Sequence, residues 1–259
     1  MLQANPPPPR SQPRNAHETK SPLNKLLSDN RGKGLFRVDN NDAQDEATVW
    51  LYDMIVSDSY WGGVSAIDFA KQMTAVDAKT IHLRINSPGG EVFAGQAMAQ
   101  IIREHAAKII AHIDGYAASA ASWVALAADE VIISTGGMIM IHNANTIAYG
   151  NARDLQDTAA LLEKIDGILV ATYAEATGQD PQQIAEWMAN ETWFTSEEAV
   201  QNRFADRIAT DSESAPDNVI QWNLTAWTNA PVTNHPSSRK SAPLDHLRRR
   251  LRLAEAQNA

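Results

Sequence analysis

A serine hydroxyl does chemistry only when its surroundings prepare it, and one serine in this chain has suitable surroundings. In Asp114-Gly115-Tyr116-Ala117-Ala118-Ser119-Ala120-Ala121-Ser122, Ser119 stands where an apolar strand gives way to an apolar helix, among residues almost all too small to obstruct an approaching molecule. A helix start aims backbone N–H groups at whatever approaches the hydroxyl and favours developing negative charge. The same small residues also let a helix pack close to a sheet, so the stretch by itself supports either a nucleophile or close packing.

A serine nucleophile needs a base to take its proton. Of the seven histidines, His17, His235 and His246 fall in polar terminal regions, and His82, His105 and His112 fall in or beside elements where packing or exposure accounts for them. His142 differs. It ends the apolar run Met138-Ile139-Met140-Ile141, at the carboxyl end of a strand, where parallel sheets hold their sites. Acyl transfer also needs N–H donors for an oxyanion. Gly89-Gly90 follows a strand with no Cβ to block a carbonyl, and the N–H of Ala120 is a second donor just after the nucleophile.

The elements that must position these residues alternate. Thr48–Ile55 reads as a strand and Ser65–Thr74 as a helix; Thr80–Asn86 is a strand, Ser87-Pro88-Gly89-Gly90 a break, and Glu91–Glu104 a helix. Lys108–Ile113 is a third strand, and Glu130–Ser134 and Met138–His142 are two more, split by Gly136-Gly137. Such alternation predicts an α/β fold with a largely parallel sheet covered by helices. From Asn151 to about Thr177 a long helical pattern carries Leu155, Leu162 and Leu169 every seven residues, a stripe that needs a partner in the domain or in another subunit.

Composition narrows the class. The 259 residues, 44% of them hydrophobic, suffice for one sizeable core. A formal charge of -9 argues against nucleic-acid binding by the body of the protein. The absence of cysteine excludes thiolate catalysis and disulfides. No apolar run is long enough to span a bilayer and no signal peptide is evident, which predicts a cytoplasmic protein. Residues 1–34 are Pro-rich, polar and basic and read as a flexible arm; the compact domain is expected over 35–210. Residues 211–259 read as a polar linker and a basic amphipathic tail, with Leu244, Leu247 and Leu251 beside Arg248, Arg249, Arg250 and Arg252, suited to a protein or nucleic-acid surface.

Together, Asn86-Ser87-Pro88-Gly89-Gly90 with Gly95, Gly115-Tyr116-Ala117-Ala118-Ser119, Met140-Ile141-His142, the long helix and Thr192-Trp193-Phe194-Thr195-Ser196-Glu197-Glu198-Ala199 resemble the proteolytic subunit of Clp protease, in order from about Val49 to Ile208. The resemblance implies a crotonase-like spiral of strand-strand-helix units with a protruding handle helix. It implies that Ser119 is the nucleophile, His142 the general base, and Gly89, Gly90 and Ala120 the oxyanion and substrate-binding groups, with no metal and no cofactor. The family's aspartate is replaced by Glu191, within Asn190-Glu191-Thr192-Trp193, with Asn190 as the alternative third member.

The resemblance also implies homo-oligomeric rings, stacked through the 151–177 helix, that act on protein or peptide substrates. The Pro-rich arm, the Trp-Phe-Thr segment and the basic tail look more like the Clp-type proteases of tailed phages, which implies a prohead-maturation role on scaffold and capsid proteins in the host cytoplasm or the assembling shell. The alternatives are a housekeeping Clp peptidase working with an ATPase, a crotonase-fold acyl-CoA enzyme, and an inactive assembly subunit. Cleavage preference, ring size and self-processing are not legible in the sequence.

Overall fold

The computed structural model describes residues 22–210, 213 and 220–231. The chain opens with helix α1 (Pro22–Asn30), an antiparallel pair β1 (Leu35–Asn41) and β2 (Glu46–Tyr52), two short strands β3 (Ile55–Val56) and β4 (Val64–Ser65), and helix α2 (Ala66–Thr74). Strand β5 (Thr80–Ser87), helix α3 (Val92–Glu104), strand β6 (Lys108–Ala118) and helix α4 (Ala120–Ala125) follow, then strands β7 (Glu130–Ile133) and β8 (Met138–Ile141). The handle helix α5 (Ala152–Thr177), α6 (Pro181–Ala189), β9 (Thr192–Phe194), α7 (Ser196–Gln201) and β10 (Arg207–Ile208) complete the series.

The α/β character expected from the alternation is present. The main sheet runs β1-β2-β5-β6-β7-β10, with β8 paired to β6 and β9 off that path. The β2-β5, β5-β6 and β6-β7 pairs are parallel, as strands joined by helices must be. Their inward residues, Val49, Leu51, Ile81, Leu83, Ile85, Ile109, Ala111 and Ile113, are fully buried beneath Phe69, Met73, Met98 and Ile102 of the covering helices. Burial of this kind stabilises by about 1.5–3 kcal/mol per large apolar side chain.

Strand β6 is the organising element because its two halves have different partners. Ile110–Ile113 pairs with β7, while Tyr116–Ala118 pairs with β8. The sheet therefore divides at Asp114-Gly115. The charge at this division is paired: Asp114 accepts from Arg84 Nε at 2.8 Å and also from Arg84 Nη2 and Tyr52 Oη. Burial pushes the Asp114 carboxyl above the ordinary carboxylate range, against the pull of Arg84 and Tyr52.

The structure adds to the 35–210 domain at both ends. Helix α1 lies inside the expected arm, yet its Leu26 is fully buried; residues 220–229, inside the expected linker, bury Trp222, Leu224 and Trp227. Asn30 joins the two, accepting the N–H of Asn223 at 2.7 Å and donating to its carbonyl at 2.9 Å. The physical reason is that each segment is too short and polar to fold alone but is held by polar ties to the other while its few apolar side chains are buried, Leu26 and Trp227 lining the same cleft. The rest of the arm and the basic tail fall outside the described residues.

The stripe on α5 divides in the same way. Leu169, Tyr173 and Thr177 are buried against the domain, whereas Leu155, Leu161 and Ile168 are exposed. Among the described residues no helix is long and apolar enough to cross a membrane.

Candidate active site

The division of the sheet delivers the site. Ala118, the last residue of β6, pairs with Met140 of β8, and the N–H of Ser119 donates to the Met140 carbonyl at 2.8 Å. Ser119 is one residue past Ala118 and His142 two past Met140, so adjacent strands carry both side chains to the same edge. Ser119 Oγ lies 2.7 Å from His142 Nε2, although the residues are 23 apart in sequence.

Ser119 bears a backbone that only a constrained turn imposes. Its φ of 54° and ψ of -124° lie outside the regions L-residues favour, at a cost of about 1–3 kcal/mol. The surroundings hold it there: Ser122 Oγ donates to the Ser119 carbonyl at 2.7 Å and lies 2.8 Å from Tyr173 Oη, so α5 braces the turn. The strain sets the hydroxyl at the mouth of a cleft while the chain passes directly from strand to helix. Sequence reasoning missed both features, since a positive φ is normally signalled by glycine.

The Gly89-Gly90 turn lies against this serine. Gly89 has φ 86°, and a Cβ there would collide with the Ala118 carbonyl and with Ser119 Cβ. Gly90 has φ 152°, and its Cβ would collide with the backbone of Ile55, to which the turn is laced by Ile55 N–H to Gly89 carbonyl and Glu91 N–H to Ile55 carbonyl, both 2.9 Å. The N–H of Gly89 donates to Ser87 Oγ at 3.2 Å. Ala120 opens α4 immediately after the serine.

Glu191 is placed differently from its expected role. It closes α6 with a positive φ of 46°, and its carboxylate accepts the N–H of Thr228 at 2.9 Å, the N–H of Asn229 at 2.6 Å and Trp193 Nε1 at 3.4 Å. It makes no hydrogen bond to His142. The two instead line one cleft of about 410 Å³. Asn190 also turns elsewhere: its Nδ2 donates to the Glu186 carbonyl at 2.8 Å and its own carbonyl accepts from Asn229. Burial pushes the His142 imidazole down to about 4, and the charge of Glu191 partly opposes this. The imidazole is therefore neutral at pH 7 and has an unprotonated nitrogen for the serine proton.

Around the pair is a cleft of about 380 Å³ with largely apolar walls: Val92 and Phe93 from α3, Leu161, Leu162 and Ile165 from α5, Leu23 and Leu26 from α1, and Trp227. The ring of Trp227 meets that of His142 edge to face, centroids 4.7 Å apart. The remaining described histidines do other work, His82 Nδ1 facing His112 Nε2 at 2.9 Å and His105 Nε2 meeting the Met73 carbonyl at 3.0 Å.

A serine and a histidine in hydrogen-bond contact, beside a Gly-Gly turn and at the split of a crossing sheet, define a Clp-type peptidase architecture. The Clp protease family profile matches residues 17–212, and the chain belongs to that family, whose members are hydrolases acting as peptidases. Its relatives include the ATP-dependent Clp protease proteolytic subunit 3 of Rhodococcus jostii, 32% identical over 56% of this chain and 73% of that protein. The proteolytic subunit 2 of Pseudomonas aeruginosa is 29% identical over 57% of this chain and 77% of its own length. Among solved structures, a point mutant of ClpP1 from Listeria monocytogenes superposes with a TM-score of 0.57, at 24% identity, over 66% of this chain and 95% of that one, a likeness of fold.

Proposed function

We propose that this chain is a serine-type endopeptidase subunit, with Ser119 as nucleophile and His142 as general base. The observation that carries the reading is the 2.7 Å contact of Ser119 Oγ with His142 Nε2 beside the Gly89-Gly90 turn. Ser119 Oγ attacks the scissile carbonyl as His142 takes its proton. His142 then gives that proton to the leaving amine, and water cleaves the acyl-enzyme by the same relay in reverse. Gly90 N–H and Ala120 N–H are the donors for the oxyanion, because Gly89 N–H is already given to Ser87 and Gly89 serves by admitting close approach. Glu191 acts on His142 through its charge across the intervening cleft.

The apolar cleft fits an extended peptide with apolar side chains near the scissile bond. The exposed Leu155, Leu161 and Ile168 on α5 suit a second subunit, in keeping with homo-oligomeric rings. The relatives described above are bacterial subunits named as ATP-dependent, which favours a subunit that works with an ATPase on protein substrates over the prohead-maturation role. The prohead reading draws on the two termini and the Trp-Phe-Thr segment and gains nothing from these relatives.

The test is labelling by a fluorophosphonate, located by peptide mapping, together with hydrolysis of a fluorogenic peptide. Label on Ser119 and activity lost in Ser119→Ala support the reading. Equal hydrolysis by the purified Ser119→Ala protein removes it.

A further inference from the structure

Residues 220–229 lie beyond the family-matched 17–212, yet Trp227 among them lines the Ser119 cleft, and Thr228 and Asn229 line the neighbouring one shared by His142 and Glu191. Three ties hold them. Trp222 Nε1 donates to the Asn86 carbonyl at 2.9 Å, and Asn86 Nδ2 donates to the Ile220 carbonyl at 2.6 Å, which fastens the segment to the strand end just before the Gly-Gly turn. Asn223 is clasped by Asn30 of α1. Thr228 and Asn229 give their N–H groups to the carboxylate of Glu191. Between the last two ties sits Trp227, 7% exposed, its backbone N–H donating to the Leu224 carbonyl at 2.9 Å and its ring crossing that of His142 at 63°.

We infer that Trp227 is a positioning residue for His142: its ring holds the imidazole in the rotamer that presents Nε2 to Ser119 Oγ, so a segment outside the family-matched region forms part of the hydrolytic apparatus. The inference rests on the serine-peptidase reading above. An imidazole that is to accept a serine proton must be fixed at two places. In a Ser-His-acid site the acid grips the second nitrogen. Here Ser119 engages Nε2, no described residue hydrogen-bonds Nδ1, and the carboxylate that could do so is committed to Thr228 and Asn229. Packing by Trp227 takes over the restraint, and edge-to-face aromatic contact is directional enough to select a ring orientation. Glu191 thus has a second task, pinning the two residues after Trp227.

The same contact covers part of the His142 ring and reduces its exposure to water. The charged groups lining its clefts are Glu191 at the end of α6 and Glu91 before α3, while Asp166 of α5 holds the N–H of Ala144 at 2.7 Å. Removing the indole hydrates the imidazole and leaves all three carboxylates in place, so the ring's proton affinity rises.

The experiment uses the full chain with Trp227→Phe, Trp227→Leu and Trp227→Ala. It reads the His142 imidazole titration by NMR, assigned with His142→Gln, kcat and KM on a fluorogenic peptide, and fluorophosphonate labelling. In Trp227→Leu, which keeps apolar volume if the alanine variant fails to fold, the His142 midpoint is expected to rise by at least about one pH unit. Its kcat should fall about tenfold with KM changed less than about threefold, and Trp227→Phe should restore both. An unmoved midpoint and unmoved kcat in Trp227→Leu, with Ser119 still labelled in the parent protein, overturn the inference and leave the peptidase reading intact. No label and no hydrolysis in the parent protein remove the peptidase reading and the positioning role with it, whatever the titration does.

Discussion

Ser119 Oγ and His142 Nε2 meet at 2.7 Å because their strands, β6 and β8, pair at Ala118 and Met140, directly before each residue's exit from the sheet. Backbone register thus brings the two residues to one edge of the sheet, and a change of side chain at either leaves the strand pairing in place.

Substituting Ser119→Ala should therefore abolish peptide hydrolysis, by at least about a thousandfold, without altering the fold. Alanine loses the hydroxyl but keeps the Cβ that is strained at φ 54°, so Ser119→Gly should be equally inactive but more stable than Ser119→Ala by about 1 kcal/mol. Initial rates and urea unfolding of the two variants give the comparison.

Glu191→Gln is expected to be mild. An acid hydrogen-bonded to its histidine is worth about ten-thousandfold in kcat. The Glu191 carboxylate acts on His142 only through space, so kcat should fall about three- to tenfold. Loss of the negative charge should move the acid limb of the kcat/KM profile to lower pH, since that charge is what raises His142. A thousandfold loss would show that the carboxylate swings onto Nδ1 during turnover.

Gly90→Ala should destabilise the protein by about 2–3 kcal/mol or more and abolish activity, because the new Cβ runs into the Ile55 backbone and the residue must hold φ 152°. Gly136→Ala is the control: its φ of 80° is unfavourable, but a Cβ there meets nothing, so the cost should stay near 1 kcal/mol with full activity. Denaturant midpoints decide it.

Stability should fall as pH drops from about 6.5 towards 4. Both His142 and His112 are pushed down to about 4 by burial, His112 also by the nearby Arg84 and His82. The unfolded chain, with histidines near 6.5, binds more protons than the native one throughout that window, so acid favours unfolding there. The histidine contribution is complete above 6.5 and lost as pH passes below it towards 4. Tm measured across this range should slope downward, and His142→Gln should flatten the slope by about half.

The alternation of strands and helices was legible because hydrophobic period and small-residue turns are local, and Ser119 and His142 followed from their places at element boundaries. The destination of Glu191 was not, because it depends on backbone N–H groups 37 and 38 positions away. Nor was the burial of 220–229. Trp222 and Trp227 stand out in a polar stretch, but Trp222, Leu224 and Trp227 follow neither a helical nor a strand period. The segment's partners, Asn86 for Trp222 and Asn30 for Asn223, lie more than a hundred positions upstream. The positive φ of Ser119 left no trace either, since no glycine marks it.

The clasp between Asn30 and Asn223 spans 193 positions, and the two segments it joins each lend a side chain, Leu26 from α1 and Trp227 from 220–229, to the cleft that holds Ser119. Removing α1 or 220–229 would therefore be felt by the other segment, and both losses would register at Ser119 and His142. A cut or insertion that unseats either of these two segments becomes a remote way of opening or sealing the enzyme's working surface.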